Sequence, residues 1–326
     1  MNTSALMQHP RFVAGGIRLD RLPAWGWLAL QCAALSPTGV WMARRLGDGS
    51  DDPFGLLALA TLGGLVWQAR RRLCAAPRLG WLLLALLGTA AATLARGVPG
   101  VAALPPLLAG LLSVLALAAG LLAFLPRHQK TPRRTAARAA GVTATPVLGL
   151  AVLALPLLSS LQFYAGYPLR VITAEASRWL LAPAFTVLRE GSTLLVDGRL
   201  VIVDAPCSGV QMAWLGYFTA CAVALWAGRS DREFLTRLPL VGVLVLAGNI
   251  VRNSILVASE GAGRVPAQWQ HDGLGLVLLA LVSGSIAWHM GRAGRKAAPH
   301  TERRRRSTHG DSGLITQAGG RRVELA

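Results

Sequence analysis

Eight stretches of this chain, at about 23–43, 53–69, 79–95, 101–125, 142–163, 207–227, 238–259 and 273–291, stay apolar for close to the length that crosses a bilayer, which at helical rise is roughly 17 to 25 residues. Inside hydrocarbon each backbone amide must find its partner within the protein, so such stretches fold as helices. The expected fold class is therefore an all-α polytopic membrane protein with about eight transmembrane helices. Composition agrees: 53% of the 326 residues are hydrophobic and 15% charged, whereas a soluble domain carries about 25% charged residues. The 33 Lys and Arg against 15 Asp and Glu give a formal net charge of +18. A nucleic-acid binder would gather such charge on one face of a folded domain; here the cations sit in short clusters between apolar runs, so nucleic acid is excluded as a partner and the lipid bilayer is implied.

The clusters also orient the chain, because Lys and Arg collect in short cytoplasmic loops. Arg70, Arg71, Arg72 and Arg78 separate spans two and three, and Arg127, Lys130, Arg133, Arg134 and Arg138 separate spans four and five. Arg229, Arg232 and Arg237 follow span six, and Arg303 to Arg306 follow span eight. All of these are expected inside, with both termini cytoplasmic; Arg44 and Arg45 fall outside, partly offset by Asp48, Asp51 and Asp52. The resulting layout is a cytoplasmic N-terminus (1–22), five helices (23–163), an extracytoplasmic segment (164–206), three helices (207–291) and a disordered basic cytoplasmic tail (292–326). The first 21 residues lack the apolar core of a cleaved signal peptide, so the mature chain is expected to begin near Met1.

Within 164–206, the stretch 169–188 mixes apolar residues with Glu175 and Arg178, a pattern that suits a helix lying in the membrane interface. The stretch 193–203 holds two β-branched apolar runs joined by Asp197-Gly198, the signal of a β-hairpin with a type I′ turn. This hairpin delivers the chain to the sixth span.

Ionisable and reactive groups inside or at the ends of spans are costly and mark function. Cys207 stands in Asp204-Ala-Pro-Cys-Ser-Gly209, where Pro206 suits a first helical turn. A thiol at a helix N-terminus sees the positive end of the dipole, which favours the nucleophilic thiolate. Arg252 lies in the outward half of span seven, at a cost of about 2.5 kcal/mol or more unless it is paired, and Asn249 shares its helical face three residues earlier. His271 opens span eight on the same side. Ser208, Gly209 and Gln211 accompany Cys207 as supporting residues, and the adjacent Asp272 is a candidate to orient His271. A thiol with an imidazole is the generic pairing for nucleophilic catalysis, and a guanidinium can bind substrate or an oxyanion. Cys221 lies about 21 Å further along the same helix and is expected only to pack. Cys32 and Cys74 have no nearby His, and the four cysteines form no C-x-x-C. No metal site or cofactor is indicated.

Cys207-Ser208-Gly209, Asn249-Ile250-Val251-Arg252 and His271-Asp272-Gly273-Leu274-Gly275, in that order on three consecutive spans, resemble the Cys-Ser-Gly, Asn-x-x-Arg and His-x-x-x-Gly marks of the exosortase and archaeosortase family. The resemblance covers about 185–291. It implies a membrane-embedded cysteine protease or transpeptidase at the outer face of a bacterial inner membrane, with its active site facing the periplasm. In that reading Cys207 is the nucleophile, His271 activates it or protonates the leaving amine, and Arg252 binds substrate or the oxyanion. The implied substrates are membrane-tethered secreted proteins with a C-terminal sorting signal of the PEP-CTERM kind: a short motif such as Pro-Glu-Pro, a transmembrane helix and a basic cluster. Longer members carry a soluble domain after the last span; the basic tail here implies a short subtype.

Two other classes compete. A transporter would use Arg252 and Asn249 to bind an anion, but it is expected to show repeated hydropathy between halves, and 164–206 has no counterpart among the first four spans. A non-catalytic scaffold for exopolysaccharide or secreted-protein assembly would leave Cys207→Ala silent. A rhomboid-type serine protease lacks the Gly-x-Ser-x-Gly elbow. The orientation is open to direct test: alkaline phosphatase, which is active only after export, should be active when fused after position 186 and inactive when fused after position 131. Equal activity at both sites would overturn the assignment.

Overall fold

The computed structural model describes residues 22–47, 49, 53–74, 76–97, 104–126, 142–202, 208–264 and 267–292. Ten helices and three strands follow in the order α1 (Ala24–Ala34), α2 (Ser36–Gly47), α3 (Phe54–Ala69), α4 (Leu79–Gly97), α5 (Pro106–Phe124), α6 (Ala144–Leu153), α7 (Leu158–Leu181), β1 (Val187–Glu190), β2 (Thr193–Val196), β3 (Arg199–Ile202), α8 (Val210–Trp226), α9 (Asp231–Gly261) and α10 (Gln268–Gly291). These elements form one compact unit that ends at Gly291. The tail expected to be disordered, 292–326, lies outside the described residues apart from Arg292.

The all-α expectation holds, and three segments are corrected. The first span is two consecutive helices meeting at Leu35, because Pro37 lacks the N–H that would carry the α1 ladder onward. The fifth span does not run straight from 142 to 163. α6 stops at Leu153, and α7 leaves it at 93°. Pro156 explains the break: it cannot donate, and a proline disfavours helical backbone at the residue before it, Leu155. The interfacial helix placed at 169–188 accordingly begins at Leu158 and ends at Leu181. Among the described residues, four helices (α4, α5, α9 and α10) have the length and composition to cross a membrane, or five counting α6 with α7 as one span; α3 and α8 are apolar but have 16 and 17 residues. These helices bear out the polytopic membrane fold.

The hairpin forms as expected. Asp197 (φ 47°) and Gly198 (φ 81°) both take positive φ, as a type I′ turn requires, and Val196 pairs with Arg199. A third strand precedes it, since β1 pairs antiparallel with β2 across Gly191-Ser192, with Glu190 opposite Thr193. Leu194, Val196 and Val201 turn their side chains into a cluster with Ala174 and Leu181 of α7 and Leu256 and Val257 of α9. That apolar contact supplies the support an isolated hairpin lacks.

Helices α8, α9 and α10 pack on one another, and α8 and α9 also pack on α6, with small residues at the crossings. A Cβ on Gly216 would lie 2.6 Å from Val245 Cγ2, and one on Gly248 would collide with Val282. Close backbone approach of this kind is how helices associate where apolar burial gives little advantage over lipid. At the end away from the sheet, buried Arg229 donates to the Met290 carbonyl at 2.7 Å and Arg237 donates to the His289 carbonyl, capping α10. Asp231 accepts from both the backbone N–H and the hydroxyl of Thr145, joining the start of α9 to α6.

At the bend after α6, Gly55 lies against the backbone. A Cβ there would sit 2.5 Å from the Ala154 carbonyl oxygen, which no side-chain rotation relieves. Gly55→Val should therefore destabilise the purified protein by about 1–3 kcal/mol, as overpacking does, read as a lowered unfolding midpoint in detergent. Gly63→Ala, on the same helix with open space around it, should not lower the midpoint.

Candidate functional site

Cys207 lies outside the described residues; the chain after it begins at Ser208. Two residues later α8 starts, with Gly209 as its cap at φ 83° and ψ 2°. Only glycine adopts this left-handed conformation without strain. Space forbids a side chain there as well: a Cβ would lie 2.8 Å from Asn249 Cγ on α9. Ser208 is buried, its hydroxyl donating to Gln162 Oε1 at 2.8 Å and receiving the Val210 N–H at 3.4 Å. The turn leading into α8 is therefore held by α7 on one side and by α9 on the other.

Asn249 and Arg252, three residues apart on α9, face the same region. Asn249 is 2% exposed and donates through Nδ2 to Thr173 Oγ1 at 3.1 Å. One turn on, Asn253 Nδ2 donates to Ser177 Oγ at 2.9 Å and the Ser254 hydroxyl meets the same oxygen at 3.0 Å. Arg252 reaches across to α10, where its Nη2 stands 3.1 Å from His271 Nε2. A guanidinium only donates, so Nε2 accepts and the imidazole proton of this pair resides on Nδ1. The contact also answers how an arginine is tolerated in an apolar helix. It is bonded within the protein, and snorkelling is not needed. Gly275, one turn beyond His271, lies beside the guanidinium, where a Cβ would make ordinary contact at 3.4 Å with Arg252 Nε and Nη2.

A cleft of ≈ 400 Å³ lies beside Arg252, among α3, α8, α9 and α10. Gln211, Arg252 and Asp272 line its polar part, and Phe54, Met212, Leu215, Leu276 and Leu279 line the remainder. Gly209 and Gly275 sit on its wall. Such a cleft suits an amphiphilic occupant: a polar group at the guanidinium and apolar substance below it. Asp272, considered as an orienter of His271, accepts from Gln268 at 3.0 Å on the exposed side of α10.

Of the residues singled out from the sequence, Ser208, Gly209, Asn249, Arg252, His271 and Gln211 thus converge on one end of α8, α9 and α10. Cys221 packs in the core against Gly149, whose added Cβ would lie 2.7 Å from Sγ, as its apolar neighbours suggested. Among the described residues no group of three or more His, Cys, Asp or Glu could hold a metal ion. Sequence reasoning missed Gln162, Thr173 and Ser177 of α7. Their only local signal is that Thr173 and Ser177, one turn apart, put hydroxyls on the buried face of a helix.

Residues 41–288, three quarters of the chain, match the family described as transmembrane exosortase. The chain belongs to that family. No curated protein matches it, and no solved structure does. The match spans all three motifs and extends through the earlier helices, well beyond the 185–291 on which the sequence resemblance rested. This exosortase-family chain is accordingly a multi-pass membrane protein.

Two glycines of the site should respond oppositely to alanine. Gly209→Ala meets both an unfavourable φ and the Asn249 side chain, and should cost about 1–3 kcal/mol of stability. Gly273→Ala, in the first turns of α10 with nothing within 4 Å, should be neutral or gain up to about 1 kcal/mol from helix propensity. Unfolding midpoints of the purified chain in detergent measure both. Equal midpoints would contradict the strained turn.

Proposed function

We propose that this exosortase-family protein is a cysteine transpeptidase or endopeptidase that cuts the C-terminal sorting signal of membrane-tethered secreted proteins, through a thioester on Cys207. The observation that carries the reading is the Arg252–His271 contact at 3.1 Å, with Arg252 lining a cleft whose wall also holds Gly209, two residues after Cys207 in the sequence. Positively charged loops favour a bacterial inner-membrane location with the site on the periplasmic side.

The chemistry divides among named groups. Cys207 attacks the scissile carbonyl as thiolate; the S–C bond forms, and the peptide C–N bond breaks as the tetrahedral intermediate collapses. The leaving amine takes one proton, for which His271 is the donor once it has accepted the thiol proton. Because Nδ1 already carries the imidazole proton and Nε2 accepts from Arg252, the exchange runs through Nε2 once Arg252 turns toward the oxyanion. Arg252 is suited to the second task, because a fixed cation aimed at developing negative charge in a low-dielectric site is worth several kcal/mol. The thioester then passes its acyl group to an amine acceptor or to water. A substrate already anchored in the same bilayer reaches the thiol with much of its translational freedom gone.

The test is a reporter carrying a Pro-Glu-Pro-type C-terminal signal from the same genome, co-expressed with the enzyme and followed by size. Wild type should shorten it. Cys207→Ala should abolish the product, and His271→Ala and Arg252→Ala should each reduce it by about 100-fold or more, all at unchanged enzyme abundance. Arg252→Lys should not restore activity, because an ammonium lacks the planar fork that can serve His271 and substrate together. Processing that survives Cys207→Ala would end the thiol mechanism and favour a transport or scaffold role.

A further inference from the structure

Helix α7 belongs to none of the three motifs, yet it touches the residues on both sides of the turn that follows Cys207. Gln162 accepts from Ser208, and eleven residues later, about three turns along the same face, Thr173 accepts from Asn249. Asn249 in turn occupies the space beside Gly209 that a side chain at that position would need. We infer that Thr173 is a positioning residue: by holding Asn249 it sets the Ser208–Gly209 turn, which directly follows the proposed nucleophile in the sequence. The inference rests on the proposed thiol mechanism for its catalytic meaning, but not for the structural link.

Three features separate this from ordinary packing. Thr173 is fully buried and its hydroxyl meets the amide of Asn249, a motif residue, at 3.1 Å. Gly209 already sits in a conformation that a larger residue resists, at φ 83°, so the turn depends on what presses against it. Ser177, one turn along α7 and equally buried, makes the same kind of bond but to Asn253 and Ser254, away from the turn. It provides an internal control for the loss of one buried hydroxyl between the same two helices.

The experiment compares Thr173→Val, Thr173→Ser and Ser177→Ala in the purified full chain. Thr173→Val keeps the shape and removes the hydroxyl. It should lower kcat for the reporter about tenfold or more, as small misplacements of reacting groups do, with KM unchanged, while Thr173→Ser keeps wild-type kcat. Ser177→Ala should lower the unfolding midpoint at least as much as Thr173→Val while leaving kcat at the wild-type value. Independently of activity, amide hydrogen exchange at 210–213 should quicken in Thr173→Val and stay unchanged in Ser177→Ala. Gln162→Ala, which removes the other hold on the turn, should quicken exchange at the same amides.

Unchanged exchange at 210–213 in Thr173→Val overturns the inference whatever the enzyme does. So does an equal loss of kcat in Thr173→Val and Ser177→Ala, which would mark a merely structural role. A wild-type protein that leaves the reporter intact, or an active Cys207→Ala, instead sinks the thiol mechanism, and the exchange result then decides the structural link by itself.

Discussion

Polar groups buried in an apolar bundle must be answered by other protein groups, and in this chain the demand is densest along one stretch of one helix. Between Asn249 and Ser254, α9 presents two amides, a guanidinium and a hydroxyl, three of them almost wholly buried. Each is bonded to another helix: Asn249, Asn253 and Ser254 to α7, Arg252 to α10. A neutral bond of this kind contributes little net stability, about 1 kcal/mol, but leaving such a group unmet costs more. The arrangement therefore acts mainly by selection, since few rotations of α7 and α10 about α9 satisfy all four groups together.

The bend between α6 and α7 is what makes that solution accessible. A straight fifth span would run beside its neighbours and place Thr173 and Ser177 beyond the bundle. Turning by 93° sends α7 across α9, so hydroxyls meet amides and the far end of α7 underlies the three-stranded sheet. The sheet, the bend and the site are thus parts of one packing arrangement. At the opposite end Arg229 and Arg237 cap α10, and Asp231 caps the start of α6. The helices that carry the motifs are pinned by polar bonds at both ends, with glycine crossings between. A cleft bounded by such helices keeps its geometry with little help from the lipid around it.

Local chemistry was readable wherever one segment decides its own conformation. Asp197-Gly198 produced the predicted turn because positive φ is cheap only for such residues. The three motifs announced Arg252 and His271 as costly residues needing a purpose, and those two residues meet. The fifth span was misread because hydropathy averages over Pro156, which changes direction without changing how apolar the stretch is. β1 was missed because its residues are largely exposed and lack strand alternation.

By itself, then, the sequence determined that the chain is a helical multi-pass membrane protein with its reactive and charged residues grouped at one end of its last three long segments, since apolar length and charge position are properties of each segment alone. Only the tertiary structure decided that Arg252 bonds His271, that Gly209 rests on Asn249, and that α7 underpins both. Those facts depend on how helices far apart in the chain rotate and cross, and a periodicity read along one helix carries no information about the face its neighbour turns toward it.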